Sequence, residues 1–211
     1  MLRKLLTGLV MIVLSGWASA QPTPQFVSLS VELDGSVFAT WNMPSGSFDG
    51  FRLFYRPTGS MGAYNSIDFP ATAEEGFLPV SDGMTTGYEA FLITFNSSGV
   101  SGDSNRLRTI MLLVSNGGTG TGIARLDWNS MKLGGGEFYV VYRSENGIDF
   151  TRVGETTQLF CYDTVNALCD PVTMYYRVVY ETGIYYAAST ISSGIFEDDN
   201  LPEDPVLSYV T

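Results

Sequence analysis

Two β-sandwiches in tandem, with almost no helix, are predicted by three observations. Apolar residues recur at every second position through most of the chain, the period of a half-buried strand. Beyond residue 20, no stretch carries an i, i+3, i+4, i+7 stripe for three turns. Finally, aromatic landmarks recur at an offset of 87 residues: Trp41 on Trp128, Asn42 on Asn129, Tyr55 on Tyr142, Arg56 on Arg143 and Tyr88 on Tyr175. A chain that repeats such landmarks in register is two copies of one unit.

The strands follow in order. Phe26 to Leu33 alternates, Asp34-Gly35 turns, and Ser36 to Trp41 returns with Val37, Ala39 and Trp41 on one face. After a Pro-, Gly- and Ser-rich loop, Gly50-Phe-Arg-Leu-Phe-Tyr-Arg56 is a central strand with Phe51, Leu53 and Tyr55 on one side. Tyr64 to Phe69, Gly76 to Val80, Tyr88 to Phe95 and Ser101 to Arg108 complete the first unit. The second opens within 108–116, turns through Gly117-Gly-Thr-Gly-Thr-Gly122 and continues as Ile123 to Trp128. Its central strand is Glu137-Phe-Tyr-Val-Val-Tyr-Arg143, with Phe138, Val140 and Tyr142 expected inward. Asn146-Gly147 signals a tight hairpin, because Asn-Gly accepts the positive φ of a type I′ turn. Phe150 to Thr156, Phe160 to Thr164, Met174 to Glu181 and Tyr185 to Ile191 are the remaining strands.

The ends have a different character. Met1-Leu-Arg-Lys4, an apolar run from Leu5 to Trp17 and Ala18-Ser-Ala20 match a secretory signal peptide with a small-residue cleavage site. The expected organisation is a signal peptide at 1–20 and sandwiches at 21–108 and 109–194. An acidic, Pro-containing linker at 195–211 follows, in which Val206 to Val210 resembles the first strand and starts a possible third domain. Gln21 to Gln25 is expected to be a flexible leader. The whole chain carries 11 basic and 22 acidic residues, and removing Arg3 and Lys4 leaves a net charge of −13. Such a surface disfavours nucleic acid and anionic lipid, both of which are bound through Lys and Arg. No nucleic-acid partner and no membrane insertion of the mature chain are expected. Export also suits Cys161 and Cys169, which are expected to form a disulfide worth about 2–3 kcal/mol for so short a loop.

Each unit resembles a fibronectin type III domain. The resemblance rests on Val37-x-Ala39-x-Trp41 and Ala124-x-Leu126-x-Trp128, on Gly50-Phe51-x-Leu53-x-Tyr55-Arg56 and Phe138-x-Val140-x-Tyr142-Arg143, and on Pro171-Val-Thr173-Met-Tyr175. Unit one has Met84 where that last motif would carry proline, and either Tyr175 or Tyr176 can be the corner tyrosine of unit two. The resemblance implies an immunoglobulin-like Greek-key sandwich in each unit and implies little about activity. The setting, with a cysteine pair before the sixth strand, also resembles the N-terminal part of large surface proteins of gliding Bacteroidota.

With no histidine in the sequence, no Ser-His-Asp triad, Cys-His pair or His-ligated zinc can be assembled. The sole lysine beyond the signal peptide, Lys132, sits in a glycine-rich loop. Val114 to Gly122 imitates a dinucleotide-binding turn, but a strand follows where that mechanism needs a helix. No catalytic residue, metal or cofactor is expected. The tyrosines Tyr139, Tyr162, Tyr176, Tyr185 and Tyr186 could form an exposed face for a glycan or protein. The expected function is a non-enzymatic spacer or adhesion scaffold, secreted or at the cell surface. The alternatives are a binding module using that tyrosine face, or an appendage of an enzyme lying beyond residue 211.

The two tryptophans are the test of the strand assignment. Trp41→Ala and Trp128→Ala should each cost about 3–5 kcal/mol as core truncations, read from denaturant midpoints. An effect near zero would show the strands to be out of register.

Overall fold

The structure, a computed structural model, describes residues 21–132, 138–166, 170–182 and 185–199, apart from the side chains of 182 and 185. Residues 1–20, expected to be a signal peptide, Cys169, the glycines 134–136 and the segment 206–210 fall outside the described residues. The described chain is all-β and forms two sandwiches of two sheets each.

In unit one, β1 (Gln25–Val31), β2 (Val37–Asn42) and β5 (Glu75–Leu78) form one sheet, in the order β1-β2-β5. The facing sheet contains β3 (Gly50–Pro57), β4 (Asn65–Pro70), β6 (Tyr88–Asn96), β7 (Gly99–Val100) and β8 (Leu107–Arg108). Its order is β4-β3-β6-β7, and β8 also pairs with β6. Unit two repeats the plan. β9 (Leu112–Asn116), β10 (Ile123–Trp128) and β13 (Phe160–Thr164) make the order β13-β10-β9. β11 (Tyr139–Ser144), β12 (Thr151–Thr156), β14 (Val172–Thr182), β15 (Tyr185–Ala188) and β16 (Ser192–Phe196) form the other sheet. Successive strands change sheet at the same three places in both units, which is the Greek-key connection expected.

β2 alternates as its sequence predicts: Val37, Ala39 and Trp41 are buried. Trp41 meets Phe51 across the core at 5.5 Å between ring centres, and Trp128 meets Tyr139 at the same distance. The tryptophans therefore correspond, but the central strands do not correspond at the 87-residue offset. Tyr139 and Val141 point into the core, while Phe138 is 41 % exposed and Tyr142 reaches outward to Glu181. The expected facing of Phe138 and Tyr142 is thus inverted, and Val140, though buried, stands outside the core cluster. Eleven positions separate Trp128 from Tyr139, against ten between Trp41 and Phe51. With side chains alternating at period two, one extra loop residue sends every side chain to the other face. The same shift reaches β14, where Met174, Tyr176, Val178 and Tyr180 face inward. Tyr176 is the buried tyrosine and Tyr175 is half-buried, but the position of Tyr88 is taken in unit two by Met174.

A serine closes each sandwich at its last strand. Ser104 N donates to Leu92 O, and Leu92 N donates back to Ser104 Oγ at 2.9 Å. Ser189 N donates to Val178 O, and Val178 N donates to Ser189 Oγ at 2.9 Å. The residue after each serine holds the first strand of its own unit. Asn105 accepts from Phe26 N and donates to Phe26 O, and Thr190 N donates to Ile110 O while its hydroxyl accepts from Leu112 N. Both serines are buried.

Three local expectations are revised. The Asn146-Gly147 turn is wider than a two-residue hairpin, because β11 ends at Ser144 and β12 starts at Thr151. Asn146 Oδ1 accepts from Ile148 N and Asp149 N, and Ser144 Oγ accepts from Gly147 N. The leader is docked: Pro24 is buried and the Thr94 hydroxyl donates to Pro22 O at 2.6 Å. The start of the acidic segment is also part of the fold. β16 runs to Phe196, Asp198 bridges to Thr121, Gly122 N donates to Glu197 O, and Asp199 N donates to Gly120 O. Gly120 and Gly122 have φ of 63° and 62°, and a Cβ on Gly120 would lie 2.8 Å from Asp199 Oδ2. The glycine run is therefore a turn shaped to receive the acidic segment.

Ser104→Ala and Ser189→Ala each strand a buried amide and should cost about 1–3 kcal/mol. Serine-to-alanine changes at the exposed Ser47 or Ser97 should be nearly silent in the same denaturation assay.

Candidate functional site

The five tyrosines expected to share a face do not. Tyr139 and Tyr176 have no exposed surface and belong to the core of unit two. They were misassigned because the central strand is apolar on both sides, so alternation alone cannot select the inward set. The Tyr176 hydroxyl donates to Asp163 Oδ2 at 2.9 Å, and burial first, then the Asp163 charge, push its phenol far above the usual range. Arg143 Nη1 donates to the same carboxylate oxygen at 2.8 Å, fixing the group within the sandwich. Tyr162 (55 % exposed) lies on the sheet of β10 and β13, and Tyr186 (51 % exposed) lies on β15 of the opposite sheet. The side chain of Tyr185 is outside the described set. Cys161 carries a free thiol whose pKa burial, followed by the charge of Asp163, raises to about 11, and its expected partner Cys169 lies outside the described residues.

The richest array of functional side chains is instead on unit one, on the outer face of β4, β3, β6 and β8. All four of that unit's arginines converge there, in a protein that is otherwise strongly acidic. Phe54 and Phe91 stack at 4.9 Å with an 11° interplanar angle, and Tyr64 meets Phe91 edge-on at 5.1 Å. The Arg106 guanidinium lies 4.2 Å above Phe91, and that of Arg56 lies 4.2 Å above Tyr64. Arg52 sits over Phe95 at 5.2 Å and forms a two-pronged pair with Asp68. Alternation places these residues on one face, because β3 contributes positions 52, 54 and 56 and β6 contributes 89, 91 and 95.

Glu89 is the hub of this face. Its side chain is largely buried and accepts from Arg56 Nε at 2.6 Å and from the Tyr64 hydroxyl at 2.7 Å, with Arg108 at 3.6 Å. Burial alone would raise its carboxyl pKa, but the bonds from Tyr64 and Arg56 and the two arginine charges outweigh it and hold it below the usual carboxylate range. Arg106 Nη1 donates to the Tyr64 hydroxyl at 2.6 Å. The array is a preordered surface of aromatic and guanidinium planes, the composition enriched at protein-binding hot spots. Alternation along β3 puts Arg52, Phe54 and Arg56 opposite Phe51, Leu53 and Tyr55, but no local pattern shows their convergence with Tyr64, Phe91 and Arg106 from distant parts of the chain.

Unit two uses the matching face for another purpose. Arg177 takes the place of Phe91 and donates from Nη2 to Val31 O of unit one. Its guanidinium pKa is lowered by burial, with the Glu32 charge opposing. Lys132 Nζ donates to the Tyr180 hydroxyl at 2.9 Å, and Ser130 Oγ donates to the Lys132 carbonyl. Among the described residues there is no group of three or more Cys, Asp or Glu side chains placed to hold a metal.

No protein-family model matches the sequence, and no curated protein matches it. Among solved structures, the chain is similar to a two-domain fibronectin type III segment of chicken tenascin. That match has 18 % identity and a TM-score of 0.36, over 83 % of this chain and 99 % of the other. It is also similar to the FN1–FN3 domains of chicken CNTN1, with 14 % identity and a TM-score of 0.38, over 85 % of this chain and 68 % of the other. The fibronectin type III domain of human collagen α-1(XX) matches 42 % of this chain and 84 % of its own, with 23 % identity and a TM-score of 0.36.

The environment of Glu89 gives a pH dependence of definite sign. Its carboxyl pKa is lower folded than unfolded, so its contribution is complete above the ordinary glutamate pKa and disappears as pH falls through the lowered folded value. Glu89→Gln should therefore lower stability at neutral pH and flatten the acid limb of a stability-versus-pH curve. An acid limb of unchanged shape would contradict the role assigned to Glu89.

Proposed function

We propose that this protein is an exported, non-enzymatic structural module that holds an interaction surface in fixed geometry outside the cell, with a bacterial cell surface as its setting. The observation that carries this reading is the junction between the units. β1 is buried on both faces, and its free edge lies alongside β15 of unit two, with Ala188 N donating to Ser30 Oγ at 3.1 Å. The connecting residues Thr109 and Ile110 are themselves buried. Asn129 donates to Thr109 O and accepts from Met111 N, Arg108 N donates to Met131 O, and Arg177 reaches Val31 O. A linker whose backbone groups are satisfied by both units resists bending. That is the mechanical need of a spacer or scaffold, and a catalytic appendage has no such need.

The arginine–aromatic face of unit one favours a second reading, in which the scaffold binds a protein partner. Its rings and guanidiniums are already ordered by one another, so little side-chain entropy remains to be lost on binding.

Calorimetry tests the scaffold. The wild-type chain should unfold in one cooperative transition, and the Asn129→Ala, Arg177→Ala double variant should show two. Two transitions already present in the wild type and unmoved by the variant would defeat the reading.

A further inference from the structure

The docked leader has a chemical consequence if, as proposed above, the chain is exported and cleaved after Ala20. The new N-terminal residue is then Gln21, followed by Pro22. The structure holds this end against unit one. The Thr94 hydroxyl, on a residue with no exposed surface, donates to Pro22 O at 2.6 Å, and the Pro22 ring lies against the backbone of Gly46. Pro24 is buried and Phe26 N is bonded to Asn105 Oδ1. Gln21 itself is half-buried, and its side-chain oxygen Oε1 is buried without a hydrogen-bond donor among the described residues.

We propose that Gln21 is a modification site and that the mature chain begins with pyroglutamate. The α-amine nitrogen attacks Cδ of its own carboxamide, the Cδ–Nε2 bond breaks, and the proton released by the amine leaves with Nε2 as ammonia. The product is a five-membered lactam, and the step needs no oxidant, reductant or second substrate. Two features of the site favour it. No donor holds Oε1 away from the amine, so no hydrogen bond must break before the side chain folds back. The lactam is neutral, so closure removes a charge from an end that is held against unit one through Pro22. The reactive species is the free amine, with an ordinary pKa of about 7.7–8.0, so closure accelerates as pH rises through that range.

The test uses the full chain with its own leader, expressed in an exporting host and recovered from outside the cytoplasm. It is read by intact mass and by labelling of free α-amines. The expected product starts at residue 21, is about 17 Da lighter than the Gln21 amine form and does not label. Gln21→Ala, processed at the same bond, should label fully. A chain starting at Gln21 that still labels after prolonged incubation at mildly alkaline pH overturns the lactam and leaves the export reading standing. A chain that starts elsewhere, or keeps its first twenty residues, overturns both.

Discussion

Each sandwich closes on the contact between the tryptophan of its second strand and the first inward ring of its central strand. Trp41 with Phe51 and Trp128 with Tyr139 sit at equal distances, and further inward residues arrange themselves around these pairs. Because strand side chains alternate, fixing one ring fixes the facing of the whole strand, and the backbone ladder then fixes its neighbours. The loop after Trp128 is one residue longer than its counterpart, so the contact is kept and the side chains of β11 are reassigned. Compensation follows across the sheet. Tyr55 lies opposite the small Ala90 in unit one, whereas in unit two Arg143 lies opposite the large Tyr176, which fills the core as Arg143 turns to Asp163.

The same parity separates the roles of the two outer faces. On unit one the outward set includes Phe54 and Phe91, which stack on each other, Arg56, which pairs with Glu89, and Arg52, which pairs with Asp68. On unit two the equivalent of Phe91 is Arg177, and it is spent on the junction. An edge strand left open invites pairing with another chain. Here β1 is covered by β15, with a serine hydroxyl in place of a continued ladder. Two copies of one fold have thus been divided between presenting a surface and anchoring it.

The serine closures have a similar logic. Where the last strand departs from β6 or β14, a buried amide would lose its partner, and burial without one is costly. Ser104 and Ser189 supply the missing acceptor with a side chain, and the next residue ties in the first strand. This lets the final strand break in both units without exposing backbone groups in the core.

Sequence alone determined that there are two units, that they are all-β, where most of the strands lie and which tryptophans are central, because these follow from local alternation and from repetition. It drew Ser101 to Arg108 as a strand where only Leu107–Arg108 forms one, and it missed Ser192–Phe196. It placed Phe160–Thr164 to the residue and Ile123–Trp128 likewise. It misfaced Phe138 to Arg143, because Phe, Tyr and Val occupy both sides of that strand and only the contact with Trp128 distinguishes them. It scattered its binding site for the same reason, taking Tyr139 and Tyr176 as outward residues. Only the tertiary structure decided the arginine–aromatic face, the serine closures and the junction. Each joins residues far apart in the chain, such as Arg177 with Val31 or Arg106 with Tyr64, whose proximity is set by sheet pairing and the docking of units, not by any local pattern.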